Sequence, residues 1–407
     1  YEISSGSSPA NITIDEVKEV LERAPNACYG FATTENARYA RAINDPWKKV
    51  FFPLVLEVAQ LVKAKGKTIN VQENQAGWAI YAGDPDVISQ WFAPELKGAV
   101  IPIARNNANG AYLAYNALLG LETAGFTDGW GVSIQDWMWV DQGKHLIPGM
   151  VPRELMTRSN LMAAAMGARY FQFENGVTAI DDMKKITANP NSPWNLQEDG
   201  VFFQYLRKGM FPGFDSSELK NLSSTALGLE YNDDLWKEIE EKWFLGLWDF
   251  NANSELNSGV LGQHTGLQPL PEKNIYKVVY DIEYNRANNF KTPYGLVPIV
   301  PSPYAKRAGA VDFDLIKTDR HVYLGSDTKY LDKNTLLNTF EAAASHHPFR
   351  SNDAFMAAYE HKEGYLLYII GTEYFDMDDG VVTIDADDQI DIISVEDYAT
   401  GEVITVH

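Results

Sequence analysis

Short apolar runs alternate along residues 12–175 with longer stretches whose apolar positions recur every three or four residues. The first such stretch, 12–25, places Ile14, Val17, Val20 and Leu21 on one helical face, with Thr13 or Asp15 near its cap. The run 26–33 then reads as a buried strand. Residues 47–66 read as a helix that Lys65 and Gly66 close. The same alternation predicts strands at 68–74, 99–105, 129–136 and 168–175 and helices at 84–98, 111–125 and 152–167. Strands thus fall near residues 30, 70, 102, 133 and 171. Units of about 35 residues of this kind predict βα repeats and a parallel sheet.

Each predicted strand ends in polar residues. Glu35 follows the first, and Gln72, Glu73 and Asn74 close the second. Arg105 and Asn106 close the third, Asp136 the fourth, and Glu174 and Asn175 the fifth. In a (β/α)8 TIM barrel those ends share one rim, where side chains distant in sequence converge. Five barrel-like strands are legible, and a closed barrel needs eight. The chain opens with the polar segment YEISSGSSPANIT and passes straight into a helix. The expectation is therefore part of a barrel, residues 1–271, whose first three units are cut away or lie on another chain. From about residue 272 short strand-like runs separated by turn residues take over, and they predict an antiparallel β-sandwich over 272–407. The Trp-rich segment 233–250 reads as a last barrel helix with decoration.

Composition narrows the partners. The net charge of -21 and the pI near 4.7 argue against nucleic acid and anionic membranes, which attract basic surfaces. No run of about 18 apolar residues appears, so no membrane insertion is expected. The single cysteine, Cys28, permits no internal disulfide and reads as a buried, inert thiol. Aromatic residues make up 12 % of the chain, with 10 Trp and 21 Tyr, which allows a cleft lined by rings that stack on sugars.

Glu35, Asp136 and Glu174 sit at matching strand ends and form a candidate carboxylate group around a glycosidic bond. Glycoside hydrolysis needs one carboxylic acid to protonate the leaving oxygen and one carboxylate to activate water or attack carbon. Trp78, Trp137 and Trp139 follow two of these strands as candidate sugar platforms. Arg38, Gln72, Asn74, Arg105 and Asn175 are candidates for sugar hydroxyls, and Glu73 is both a candidate substrate contact and a carboxylate that competes with Glu174. His346 and His347 lack partners at metal-ligand spacing, and the acidic runs 375–380 and 385–391 lack that of a calcium loop. No phosphate loop, GxSxG elbow or dinucleotide fingerprint occurs, so neither a metal nor a cofactor is expected.

The runs FATTENARYAR, TINVQENQAGW, AVIPIARNNANGAYLAYNALLGLETAG, GWGVSIQDWMW and ARYFQFENG resemble the second half of the catalytic barrel of glycoside hydrolase family 98. YGLVPIVP and the strand-rich tail resemble that family's C-terminal β-domain. The resemblance implies endo-acting, inverting hydrolysis of β-1,4 bonds in blood-group glycans or xylan. It implies Glu35 as the general acid and Asp136 with Glu174 as the base pair, and it makes the five legible strands the fourth to eighth of the barrel. An oligosaccharide or polysaccharide substrate follows, together with an N-terminal companion fragment that completes the barrel. A secreted, periplasmic or cell-surface bacterial location follows too. The alternative is a non-catalytic glycan-binding protein with a degenerate barrel.

Overall fold

The structure is a computed structural model. It describes residues 1–5, 8–34, 36, 46–73, 78, 81, 85–105, 111–134, 153–173, 202, 205–211, 213–222, 227–230, 292, 295, 296, 298–301, 322, 323, 349–351, 354–361, 364–371, 395, 396, 403 and 404. Among the described residues of the first half, strands alternate with helical segments. Strand β1 (Glu2–Ser4) leads to helix α1 (Ile14–Arg23), then β2 (Gly30–Thr34) and α2 (Pro46–Ala64). Strand β3 (Thr68–Glu73), α3 (Pro85–Trp91), β4 (Val100–Arg105) and α4 (Ala111–Thr123) follow. Strand β5 (Gly131–Ile134), α5 (Arg153–Ala165) and β6 (Tyr170–Phe173) complete the series.

Local sequence explains the element ends. Thr13 accepts from the Glu16 amide at 3.3 Å, and Glu16 Oε2 accepts from the Thr13 amide at 2.7 Å, a capping box that starts α1. Past α2, Gly66 adopts φ +64 while the Lys67 amide returns to Val62 O at 2.9 Å, which satisfies a carbonyl of the last turn. Cys28 is buried ahead of β2, as a small apolar residue would be.

The six strands are all parallel and lie in chain order, β1-β2-β3-β4-β5-β6. Open doubly wound sheets reverse their order at a switch point, whereas a barrel wall does not. The sheet also curls. Asn70 Nδ2 of β3 lies 3.4 Å from Gln172 Oε1 of β6, although β4 and β5 stand between them. In a flat sheet those two backbones would be about 14 Å apart. The face carrying Asn70 and Gln172 is therefore concave. On the opposite, helix-covered face, Phe31, Thr33, Ile69 and Val71 are buried. The fold is thus TIM-barrel-like.

Strand β1 corrects the five-strand expectation. Its three residues offer one apolar side chain, Ile3, too few to show a period. Pairing with Ala32 and Thr33 of β2 makes it a strand, so the chain does not pass straight into a helix.

The remaining described strands form three small sheets. Strand β7 (Leu227–Glu230) pairs with β8 (Ile299–Pro301) and β9 (Val322–Tyr323), both parallel. This differs from the antiparallel pairing expected past residue 272, because both partners align with a strand that precedes that point. Antiparallel pairing does hold for β10 (Phe355–His361) with β11 (Gly364–Ile370), and for β12 (Val395–Glu396) with β13 (Val403–Ile404). The helix expected within 233–250 lies outside the described residues, as do His346, His347 and the acidic runs.

The β10–β11 hairpin is tied to the α/β layer. Tyr359 donates its hydroxyl to Ala165 O, and Tyr368 donates to Met210 O. Asn221 donates to Met356 O at 2.8 Å and accepts from the Ala358 amide at 3.0 Å. Among the described residues no helix is long and apolar enough to cross a membrane.

Candidate active site

A parallel sheet in chain order delivers all its carboxyl ends to one rim. Here the rim is formed by Thr34, Glu73, Arg105, Ile134 and Phe173, the last residues of β2 to β6. Glu35 follows Thr34 directly, Glu174 follows Phe173 directly, and Asp136 is two positions past Ile134. Glu35, Asp136 and Glu174 themselves lie outside the described residues, as do Arg38, Asn74, Trp137, Trp139 and Asn175.

Register assigns the described rim residues to faces. Gln72 pairs with Ile103, Arg105 with Ser133, and Ser133 with Gln172. By strand alternation these share the concave face with Asn70. Arg105 and Ser133 are wholly buried there, and Gln72 nearly so. The structure thus brings Gln72 and Arg105 together on the concave wall at the rim. Ser133 and Gln172 join them, and neither stood out in the sequence. The Ser133 hydroxyl has no hydrogen-bond partner among the described residues.

Glu73 has the other parity, that of Ile69 and Val71, and is 1 % exposed. Its Oε1 accepts from the Asn36 amide at 3.1 Å and from the Tyr81 hydroxyl at 3.1 Å. The Glu73 side chain is thus buried on the helix-covered side of the sheet. Trp78 is enclosed as well. It is fully buried, its Nε1 donates to Ile103 O at 2.9 Å, and Tyr81 and Phe92 close on it edge to face. A sugar platform must offer an open ring face, which this ring does not. With Trp91, Phe51, Phe52 and Tyr81 it belongs to an aromatic core between α2, α3 and β3.

Another carboxylate draws notice by its titration. Burial pushes Glu122 up from 4.5 to about 7; Arg169 opposes the rise and Asp215 adds to it. Arg169 lies 3.1 Å from Glu122 and 3.5 Å from Asp215, and Trp130 Nε1 donates to Glu122 at 3.1 Å. Trp130 and Arg169 precede β5 and β6, so the cluster sits at the amino ends of the strands. Barrel chemistry uses the other end. Glu122 is therefore a structural group. The folded chain holds its proton to higher pH than the unfolded chain. Its contribution is fully present below pH 4.5 and is lost as the pH rises through about 7, a loss of about 3 kcal/mol. Glu122→Gln keeps an acceptor for Trp130, so urea titrations from pH 4.5 to 8 should show a flatter stability curve. An unchanged slope would contradict the assignment.

Among the described residues no group of three His, Cys, Asp or Glu is placed to hold a metal.

No protein-family model matches the chain, and no curated protein matches it. Solved structures do. The catalytic module of a family 98 glycoside hydrolase from Streptococcus pneumoniae TIGR4, in complex with the H-disaccharide blood group antigen, superposes with a TM-score of 0.54 at 13 % identity. The same module in complex with the LewisY pentasaccharide blood group antigen gives 0.52 at 11 %, and its native form gives 0.54 at 13 %. Each match covers 91 % of this chain and 58 % of the module. At such identities the likeness is one of fold.

Proposed function

We propose that the chain is the C-terminal portion of an endo-acting, inverting glycoside hydrolase that cleaves β-1,4 linkages in complex glycans, either blood-group galactosides or decorated xylan. The observation that carries this is the strand order. Position 35 follows β2, and positions 136 and 174 follow the neighbouring strands β5 and β6. Strands four apart face each other across an eight-stranded barrel. The proposed site accordingly sets Glu35 on one wall and Asp136 with Glu174 on the other.

The mechanism proposed for it is inversion. Glu35 holds a proton and delivers it to the glycosidic oxygen as the bond breaks. Asp136, assisted by Glu174, takes a proton from a water that attacks the anomeric carbon from the opposite face. The attack inverts the anomeric centre, and an acid and base roughly 6.5–9.5 Å apart leave room for the water. Gln72 and Arg105 on the concave wall, with Arg38, Asn74 and Asn175 at the rim, hold sugar hydroxyls. Trp137 and Trp139 stack on sugar rings. The proposed catalytic portion is 1–271 and the proposed β-domain 272–407. A companion segment supplies the rest of the wall, and a glycan substrate implies a secreted, periplasmic or cell-surface location.

The test is product analysis. The protein, alone and with the companion segment, is incubated with blood-group oligosaccharides and with glucuronoarabinoxylan, beside a Glu35→Gln control. Shorter oligosaccharides from one substrate, absent in the control, are expected. Tight binding by the completed barrel without any cleavage would make it a glycan-binding protein instead.

A further inference from the structure

Asn36 is fully buried and is held from three strands. Its amide donates to Glu73 Oε1 of β3 at 3.1 Å. Its side-chain Nδ2 donates to Ser4 Oγ of β1 and to Thr34 O of β2, both at 3.1 Å. The carboxyl oxygen that receives the Asn36 amide also receives the Tyr81 hydroxyl at 3.1 Å. Tyr81 in turn packs edge-on against Trp78, Trp91 and Phe52, with centroids 5.4–5.8 Å away. On the other side of position 35, Thr34 is locked in register with Gln72. Position 35 is thus flanked in the chain by two anchored residues.

An ionisable side chain at residue 73 has no packing rationale. Ile69 and Val71, the residues of the same strand and face, are fully buried apolar groups, as the helix-covered side requires. A buried carboxyl is costly unless it makes bonds that an apolar residue cannot. The bonds it makes here link the aromatic layer to the peptide beside the proposed acid.

We propose that Glu73, braced by Tyr81, is a positioning residue for Glu35: it fixes the Asn36 peptide, the next residue in the chain after the proposed acid. This rests on the hydrolase reading above. Glu73 touches no reacting atom. Its removal acts through Glu35 and should lower turnover while leaving substrate affinity in place, because displacing a catalytic group by about 1 Å costs on the order of 100-fold.

The experiment measures kcat and KM on the substrate that product analysis identifies. The variants are Glu35→Gln, Glu73→Gln, Glu73→Ala and Tyr81→Phe, with circular dichroism on each. Glu73→Gln keeps an oxygen acceptor for both donors, so its kcat should stay within about threefold of wild type, while Glu73→Ala loses about 100-fold and Tyr81→Phe about tenfold, all with KM within about threefold. Tyr81→Phe keeps the ring packing and carries the test if Glu73→Ala does not fold. Inactivity of Glu73→Gln equal to that of Glu35→Gln would make residue 73 a chemical participant and overturn the positioning role. Wild-type kcat in both Glu73→Ala and Tyr81→Phe would overturn it too. Glu35→Gln as active as wild type would instead sink the acid assignment, and the positioning role with it.

Discussion

Glu35→Gln is expected to cut turnover of a natural glycan about a thousandfold while KM moves little, because general acid catalysis contributes about 100- to 10,000-fold. Glutamine matches glutamate in size and can still hydrogen-bond a sugar. It cannot release a proton to the departing oxygen. The loss should therefore depend on the leaving group. A dinitrophenyl glycoside departs without protonation, so the variant should hydrolyse it at close to the wild-type rate. Asp136→Asn should lose both substrates alike, since the attacking water needs its base whatever departs. Equal losses on both substrates in Glu35→Gln would remove the acid role from that residue.

Trp78→Ala should have the largest effect on stability. Truncating a fully buried Trp costs about 3–5 kcal/mol through lost burial and the cavity left behind. The indole also donates to the carbonyl of Ile103 in β4, a buried hydrogen bond that the truncation removes. The unfolding midpoint in denaturant should fall steeply, and Trp78→Phe should recover most of it. A sugar platform behaves in the opposite way, with weaker glycan affinity and an unchanged midpoint.

Much of the α/β half is legible in the sequence because its signals are local. Thr13 and Glu16 stand at capping-box spacing, Gly66 and Gly125 follow apolar periods, and Val71, Ile103 and Val132 lie in short apolar runs. Strand order and curl are not local. They emerge only from register and from the approach of Asn70 to Gln172. Strand β10 escaped sequence reading because its run FMAAYEH is rich in alanine, a poor strand signal. It exists because β11 pairs with it along its whole length and Asn221 bonds two of its residues.

The site divides in the same way. Polar strand ends locate the rim, but the face a side chain occupies depends on parity, which a one-residue error in a strand boundary reverses. Glu73 therefore looks like a rim carboxylate in sequence and is a buried anchor in the fold. Tyr81 and Asn36 could have been found from their neighbours. Asn36 adjoins Glu35, and Tyr81 follows Trp78 by three residues, the spacing of one helical turn. The rings of the aromatic-rich sequence divide too: Trp78, Trp91 and Trp130 are core residues, so composition alone overstates the case for a cleft lined by tryptophans.

The most direct measurement is proton NMR of the reaction in progress, with the completed protein and a β-1,4-linked glycan, observing the anomeric signal of the newly freed reducing end. The proposed inverting mechanism predicts that the α-anomer appears first and mutarotates slowly to the β-anomer. First appearance of the β-anomer would mean retention through a covalent intermediate. No new anomeric signal at all would contradict hydrolysis itself.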